Sequence, residues 1–171
     1  IFFIILSFNI KAEIITDIKV NGNQRISEET IIVLGQIKID DDYNENKSND
    51  ILKNLYNSNF FSDIDISILN NVMTIDVIEN PIIEDVKITG IKNKSVIKSL
   101  TENISLKNRI SFTDDLLNKD INIIKNILKT NGYYFANISP SILKNEQLNS
   151  IEVEIEIDLG EKAKIKEISF I

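Results

Sequence analysis

The chain of 171 residues is 43% hydrophobic and 26% charged, a balance that predicts a packed core rather than disorder. Its net charge of −7 argues against nucleic acid as a partner, because that affinity rests on clustered Lys and Arg. With no Cys and no His, thiol nucleophiles, disulfides, thiolate zinc sites and imidazole acid-base chemistry are excluded in this stretch.

Residues 1–12, "IFFIILSFNIKA", form an apolar run too short to span a bilayer and are followed at once by charged, alternating sequence. They read as the hydrophobic part of a secretory signal peptide with Ala12 just before the cut, so the working protein is expected from Glu13 onward, outside the cytoplasm. A repeat begins next. The phrase "IITDIKVNG" (Ile14 to Gly22) returns as "IIEDVKITG" (Ile82 to Gly90), and a shortened copy, "KIKEISFI", starts at Lys164. In both full copies apolar positions (Ile18 and Val20, then Val86 and Ile88) alternate with charged ones (Asp17 and Lys19, then Asp85 and Lys87), the period of a half-buried strand. The expected division is a signal remnant at 1–12, one domain at 13–80, a second at 81–161, and the first strand of a third unit at 162–171, as if the chain were cut inside a tandem array.

Within the first unit, Ser27 is the expected N-cap of a short helix with Glu28 and Glu29 in its first turn, stopped by Gly35. "QIKIDDDYNENKSND" reads as loop until Ile51, Leu52, Leu55 and Tyr56 recur at helical spacing. Ile64, Ile66 and Ile68 then alternate with Asp63, Asp65 and Ser67 as a strand, Asn70 and Asn71 turn the chain, and Ile75 and Val77 belong to the returning strand. Glu79-Asn80-Pro81 is a short, stiff join. The second unit repeats the order. It has a helix from about Ser95 to Asn103, and a longer one capped by Thr113 that presents Leu117, Ile121, Ile124 and Leu128 and ends at Gly132. A strand through "YYFANISPSIL" follows, then one in which Ile151, Val153, Ile155, Ile157 and Leu159 alternate with Glu152, Glu154, Glu156 and Asp158. The fold class is therefore α+β, each domain running strand-helix-helix-strand-strand. Pro140 demotes its strand to a sheet edge, because an interior strand needs the missing N–H.

Side-chain chemistry points to binding. The acidic ladder of the last strand reads as a solvated face, since like charges on one strand repel unless water or cations relieve them. A calcium loop at Asp40, Asp41, Asp42, Asn44 and Glu45 fails, because Glu45 stands where the loop needs Gly and Ile51 where it needs a bidentate carboxylate. Phe60 and Phe61, like Tyr133, Tyr134 and Phe135, sit at helix-to-strand corners and are expected in the core. Gly22 and Gly90 are expected to meet a backbone need after the first strand, and Arg25 to tie that loop down.

The runs "VNGNQRISEETI", "LYNSNFFSDIDI", "IENPIIEDVKITG" and "NGYYFANI" leading to "LGEKAKIKEISFI" together resemble the first two periplasmic POTRA repeats of BamA-type outer-membrane β-barrel assembly factors. The resemblance covers the chain from Glu13 onward. It implies three-stranded sheets covered on one face by two helices, a periplasmic location, and a membrane-embedded barrel beyond this chain. As partners it implies unfolded outer-membrane proteins and accessory assembly lipoproteins, with no cofactor and no catalysis. It further implies pairing of an exposed edge strand with client strands. The matching residues are Asp63, Ile64, Asp65, Ile66, Ser67 and Ile68 in the first repeat, and Tyr134, Phe135, Ala136, Asn137 and Ile138 in the second. Two-partner secretion pores and translocation-and-assembly modules also bear such repeats. An anchored periplasmic division or structural protein is the alternative from another class.

Overall fold

In the computed structural model, which describes residues 13–163, the repeated phrase supplies an outer strand of a small mixed sheet in each copy, from Asp17 onward in the first and from Ile82 in the second. The chain parts into two compact units between Glu79 and Asn80. The first runs β1 (Glu13–Ile14), β2 (Asp17–Asn21), α1 (Glu28–Gly35), β3 (Asp42–Tyr43), α2 (Glu45–Asn57), β4 (Phe61–Leu69) and β5 (Val72–Glu79). The second runs β6 (Ile82–Thr89), α3 (Lys94–Asn103), α4 (Asp114–Thr130), β7 (Asn137–Asn145) and β8 (Ser150–Asp158). In each unit the last strand is central, with sheet orders β2-β5-β4 and β6-β8-β7. The first strand lies parallel to it, Val20 opposite Ile75 and Ile88 opposite Ile155. The strand before it pairs antiparallel, Ile66 opposite Ile75 and Ile142 opposite Val153. A parallel neighbour requires a crossover connection, and the two helices supply it.

One face of each sheet is packed and the other is wet. Ile151, Val153, Ile155 and Ile157 of β8 are buried while Glu152, Glu154, Glu156 and Asp158 are exposed, so the alternation of the sequence is the alternation of the sheet. Met73, Ile75 and Val77 do the same for β5 beneath Ile31, Ile51 and Leu55 of the helices. Leu100, Leu117, Ile124 and Leu128 of α3 and α4 complete the other core.

The helix signals hold at the caps. Ser27 Oγ accepts the Thr30 N–H at 3.3 Å, and Thr113 Oγ1 accepts the Leu116 N–H at 3.1 Å. Three expectations are corrected. Gly35 is the last residue of α1 and buried, and the left-handed stop falls on Gln36 with φ 55°; a Cβ on Gly35 would press on the Ile37 side chain at 2.9 Å. The second helix begins at Glu45, well before Ile51, because Asn44 accepts the Lys47 N–H at 3.0 Å and opens solvated turns that apolar spacing does not mark. Finally, β7 begins only at Asn137, so Tyr134, Phe135 and Ala136 are not in a strand. Asn137 already pairs with Asp158, the last residue of β8, and earlier residues have no partner strand. The short ribbon of β1 and β3 was not foreseen; two residues carry no period. Residues 1–12, and all but two of residues 162–171, lie outside the described residues. Among the described residues no helix is long and apolar enough to cross a membrane.

Candidate functional site

The strands beside the central ones leave one side of their backbone open. On β4 the Ile64 N–H is directed away from β5 and donates to the Tyr56 hydroxyl at 3.2 Å and to Asp63 Oδ1 at 3.1 Å. The two-residue period then sets the Ile66 and Ile68 donors on the same free side, and those of Asp65 and Ser67 toward β5. Of the expected pairing residues Asp63 to Ile68, all lie on this edge, but the free donors narrow to Ile66 and Ile68. Tyr56 as a cover for the edge was missed in the sequence, where it reads only as an apolar residue at helical spacing.

On β7 the edge is poorer. Pro140 keeps its place opposite Ile155 between Ile138 and Ile142, and a proline keeps register only where its missing donor faces outward. The free side therefore retains the donors of Ile138 and Ile142 with a gap between them. Asn137 and Ile138 lie in this strand. Tyr134 and Phe135 occupy the turn before it, 59% and 80% exposed, which also corrects their expected burial. At the matching corner of the first unit Phe61 is 3% exposed and meets Phe60 edge-on at 6.3 Å.

The glycines after the first strands answer a close approach. Gly22 (φ 81°) and Gly90 (φ 86°) lie against the carbonyl oxygens of Val77 and Ile157, and a Cβ at either would overlap that oxygen. In the first unit the loop that follows is clasped by Glu79. One carboxylate oxygen accepts the N–H groups of Gln24, Arg25 and Ile26 at 2.7, 2.8 and 3.0 Å, and Arg25 Nε stands 3.0 Å from the other. Burial alone would raise the Glu79 pKa; the three backbone donors and the guanidinium outweigh it and hold the carboxyl below its ordinary range. Sequence reading placed Glu79 in the join and missed this role, for which a lone Glu at a strand end gives no signal. Gly132 (φ 89°) follows α4 and donates its N–H to Lys129 at 2.9 Å.

A second buried carboxylate organises the other unit. Asp120, fully buried on α4, accepts through Oδ2 the N–H groups of Ser105 and Leu106 at 2.8 and 2.6 Å. It thereby fixes the segment from Ile104 to Asn108. That segment, α3 and β6 enclose a groove of about 190 Å³ lined by Val86, Ile88, Ile97, Ile104 and Leu106, with Lys107 at its rim donating to the Thr101 carbonyl.

Residues 81–160 match the family model described as POTRA, surface antigen variable number repeat. Over 158 residues the chain is 32% identical to the outer membrane protein assembly factor BamA of Neisseria meningitidis serogroup B, covering 91% of this chain and 20% of that one. Over 160 residues it is 23% identical to the protein of the same name from Neorickettsia risticii, covering 93% and 21%. The chain thus spans about one fifth of the length of these curated relatives. Among solved structures, it resembles the N-terminal domain of Omp85 from Thermosynechococcus elongatus with a TM-score of 0.58 at 15% identity, covering 86% of this chain and 63% of that one. It resembles POTRA1-2 of the periplasmic domain of Omp85 from Anabaena with a TM-score of 0.52 at 12% identity, covering 88% and 97%. At these identities the solved structures speak to the fold, which they share.

Proposed function

The chain carries POTRA repeats of the BamA type, and from that premise we propose that it is a periplasmic binding scaffold for outer-membrane protein assembly. It works by holding extended segments of unfolded outer-membrane proteins through backbone pairing, without turnover. The observation that carries the reading is the free side of β4, where the Ile66 and Ile68 donors stand beyond the one that Tyr56 covers. An added strand pairs there with little regard for client sequence, which suits a scaffold with many clients. The β7 edge is the lesser one, since Pro140 removes its middle donor.

The test sets two prolines against each other. Ile66→Pro removes an outward donor and leaves the β4–β5 ladder intact, whereas Ser67→Pro breaks the ladder itself. A photo-cross-linker at exposed Leu69 should capture an unfolded outer-membrane protein severalfold less in Ile66→Pro than in the parent, with circular dichroism unchanged. Equal capture by a folded Ile66→Pro protein would sink the strand-pairing reading.

A further inference from the structure

We propose that the groove between β6 and α3 is a second peptide site, distinct from the β4 and β7 edges, that takes an extended segment bearing one apolar side chain next to a carboxylate. Three independent features converge on it. The first is an open backbone. Ile83 directs its N–H and carbonyl away from β8, to Ile110 and Arg109 at 2.9 and 2.8 Å, and Ile83, Val86 and Ile88 all share the core face of the strand, opposite Ile151, Val153 and Ile155. Groups that share a face share a backbone direction, so Val86 and Ile88 also offer donors and acceptors on the outer side, past the point where the 109–112 loop stops covering it. An incoming strand can pair with them.

The second feature is a cavity beside that edge. Val86 and Ile88 line one wall, Ile97 and Thr101 of α3 another, and Ile104 and Leu106 the third, around about 190 Å³, room for one large apolar side chain. The third wall is held in place from behind, because buried Asp120 accepts both the Ser105 and Leu106 N–H groups. A wall fixed in this way before a ligand arrives loses little ordering entropy on binding.

The third feature is charge. Lys107 and Asn108 stand at the rim, and the Lys107 ammonium uses one donor on the Thr101 carbonyl, leaving others for a ligand oxygen. Lys107 is the one ionisable side chain among the residues lining the groove, a cation with no acid beside it in that lining, although the chain as a whole has a net charge of −7. A carboxylate flanking the inserted side chain finds there a complementary field, which steers encounter and selects among segments. The open edge favours a peptide over an anionic lipid, which would leave the Val86 and Ile88 backbone groups unused.

The full chain, isotope-labelled, would be titrated with a blocked octapeptide of alternating threonine and leucine carrying one glutamate, and separately with dodecanoate. The peptide should shift the Val86 and Ile88 amides and the Ile97, Ile104 and Leu106 methyls. Lys107→Glu should weaken it about tenfold, as expected for reversing one charge contact. Thr101→Trp, which fills the groove from an exposed helix position, should abolish these shifts while leaving those at Ile66 and Ile68 of β4 unchanged. Shifts confined to β4 and β7, undiminished binding to Lys107→Glu, or response of the groove to dodecanoate alone would each overturn the proposal. The Ile66→Pro experiment remains separate, so the failure of one site does not carry the other with it.

Discussion

Gly22 and Gly90 differ from alanine by one methyl group, and that methyl has nowhere to go. Both residues combine a left-handed φ with a carbonyl in the space a Cβ would occupy, so Gly22→Ala or Gly90→Ala should destabilise its own unit by roughly 1–3 kcal/mol, read by urea unfolding. Glu79 makes a pH-dependent contribution. Its pKa is lower in the folded chain than in the unfolded one, so its stabilisation is complete above the ordinary carboxylate range and fades as pH falls through the folded-state value. Glu79→Gln should cost about 2 kcal/mol near neutral pH, and it should flatten the acid limb of a stability-against-pH curve for the first unit. Tyr43 acts at the other end of the scale. Burial first, and then the Asp41 charge, push its hydroxyl up to about 12. The folded state resists losing this proton, so stability is full below the unfolded tyrosine pKa of about 10 and falls as pH rises toward the folded value. Tyr43→Phe should blunt that alkaline loss.

Helices and strands were legible wherever burial imposed a period. The β8 ladder, the α4 stripe and the caps at Ser27 and Thr113 could be read because each is local: alternation, spacing, or one side chain meeting a nearby N–H. What could not be read depends on partners distant in sequence. Tyr134 and Phe135 continue an apolar run into β7, yet β8 has already ended at Asp158 and the pair stays outside the sheet. The Glu79 clasp joins positions more than fifty residues apart, and the Asp120 clasp hides a carboxylate inside an apolar stripe. The two aromatic corners make the difference measurable. Phe61→Ala should cost about 3–5 kcal/mol as a core truncation, whereas Phe135→Ser should stay within about 0.5 kcal/mol. Pro140→Thr would restore an outward donor to β7. Its expected result is stronger capture of extended client by that edge at unchanged fold, seen by cross-linking from exposed Leu143.

At the scale of the chain, two cores coexist that share no residue, one around Leu55 and Ile75 and the other around Leu100 and Ile155. In each unit the first strand of the three-stranded sheet and the strand that leaves are parallel neighbours, β2 beside β5 and β6 beside β8. Pulling a unit by its two ends would therefore slide these strands past one another. The hydrogen bonds between them would bear the load together and not open one by one from an end. Such a geometry resists tension far better than its thermodynamic stability suggests, whereas β4 and β7, joined to the centre by hairpins, would peel at low force. Stretched by its ends, such a unit holds until the whole β2–β5 or β6–β8 set of bonds gives way at once, whereas a pull on β4 or β7 alone opens one residue pair at a time.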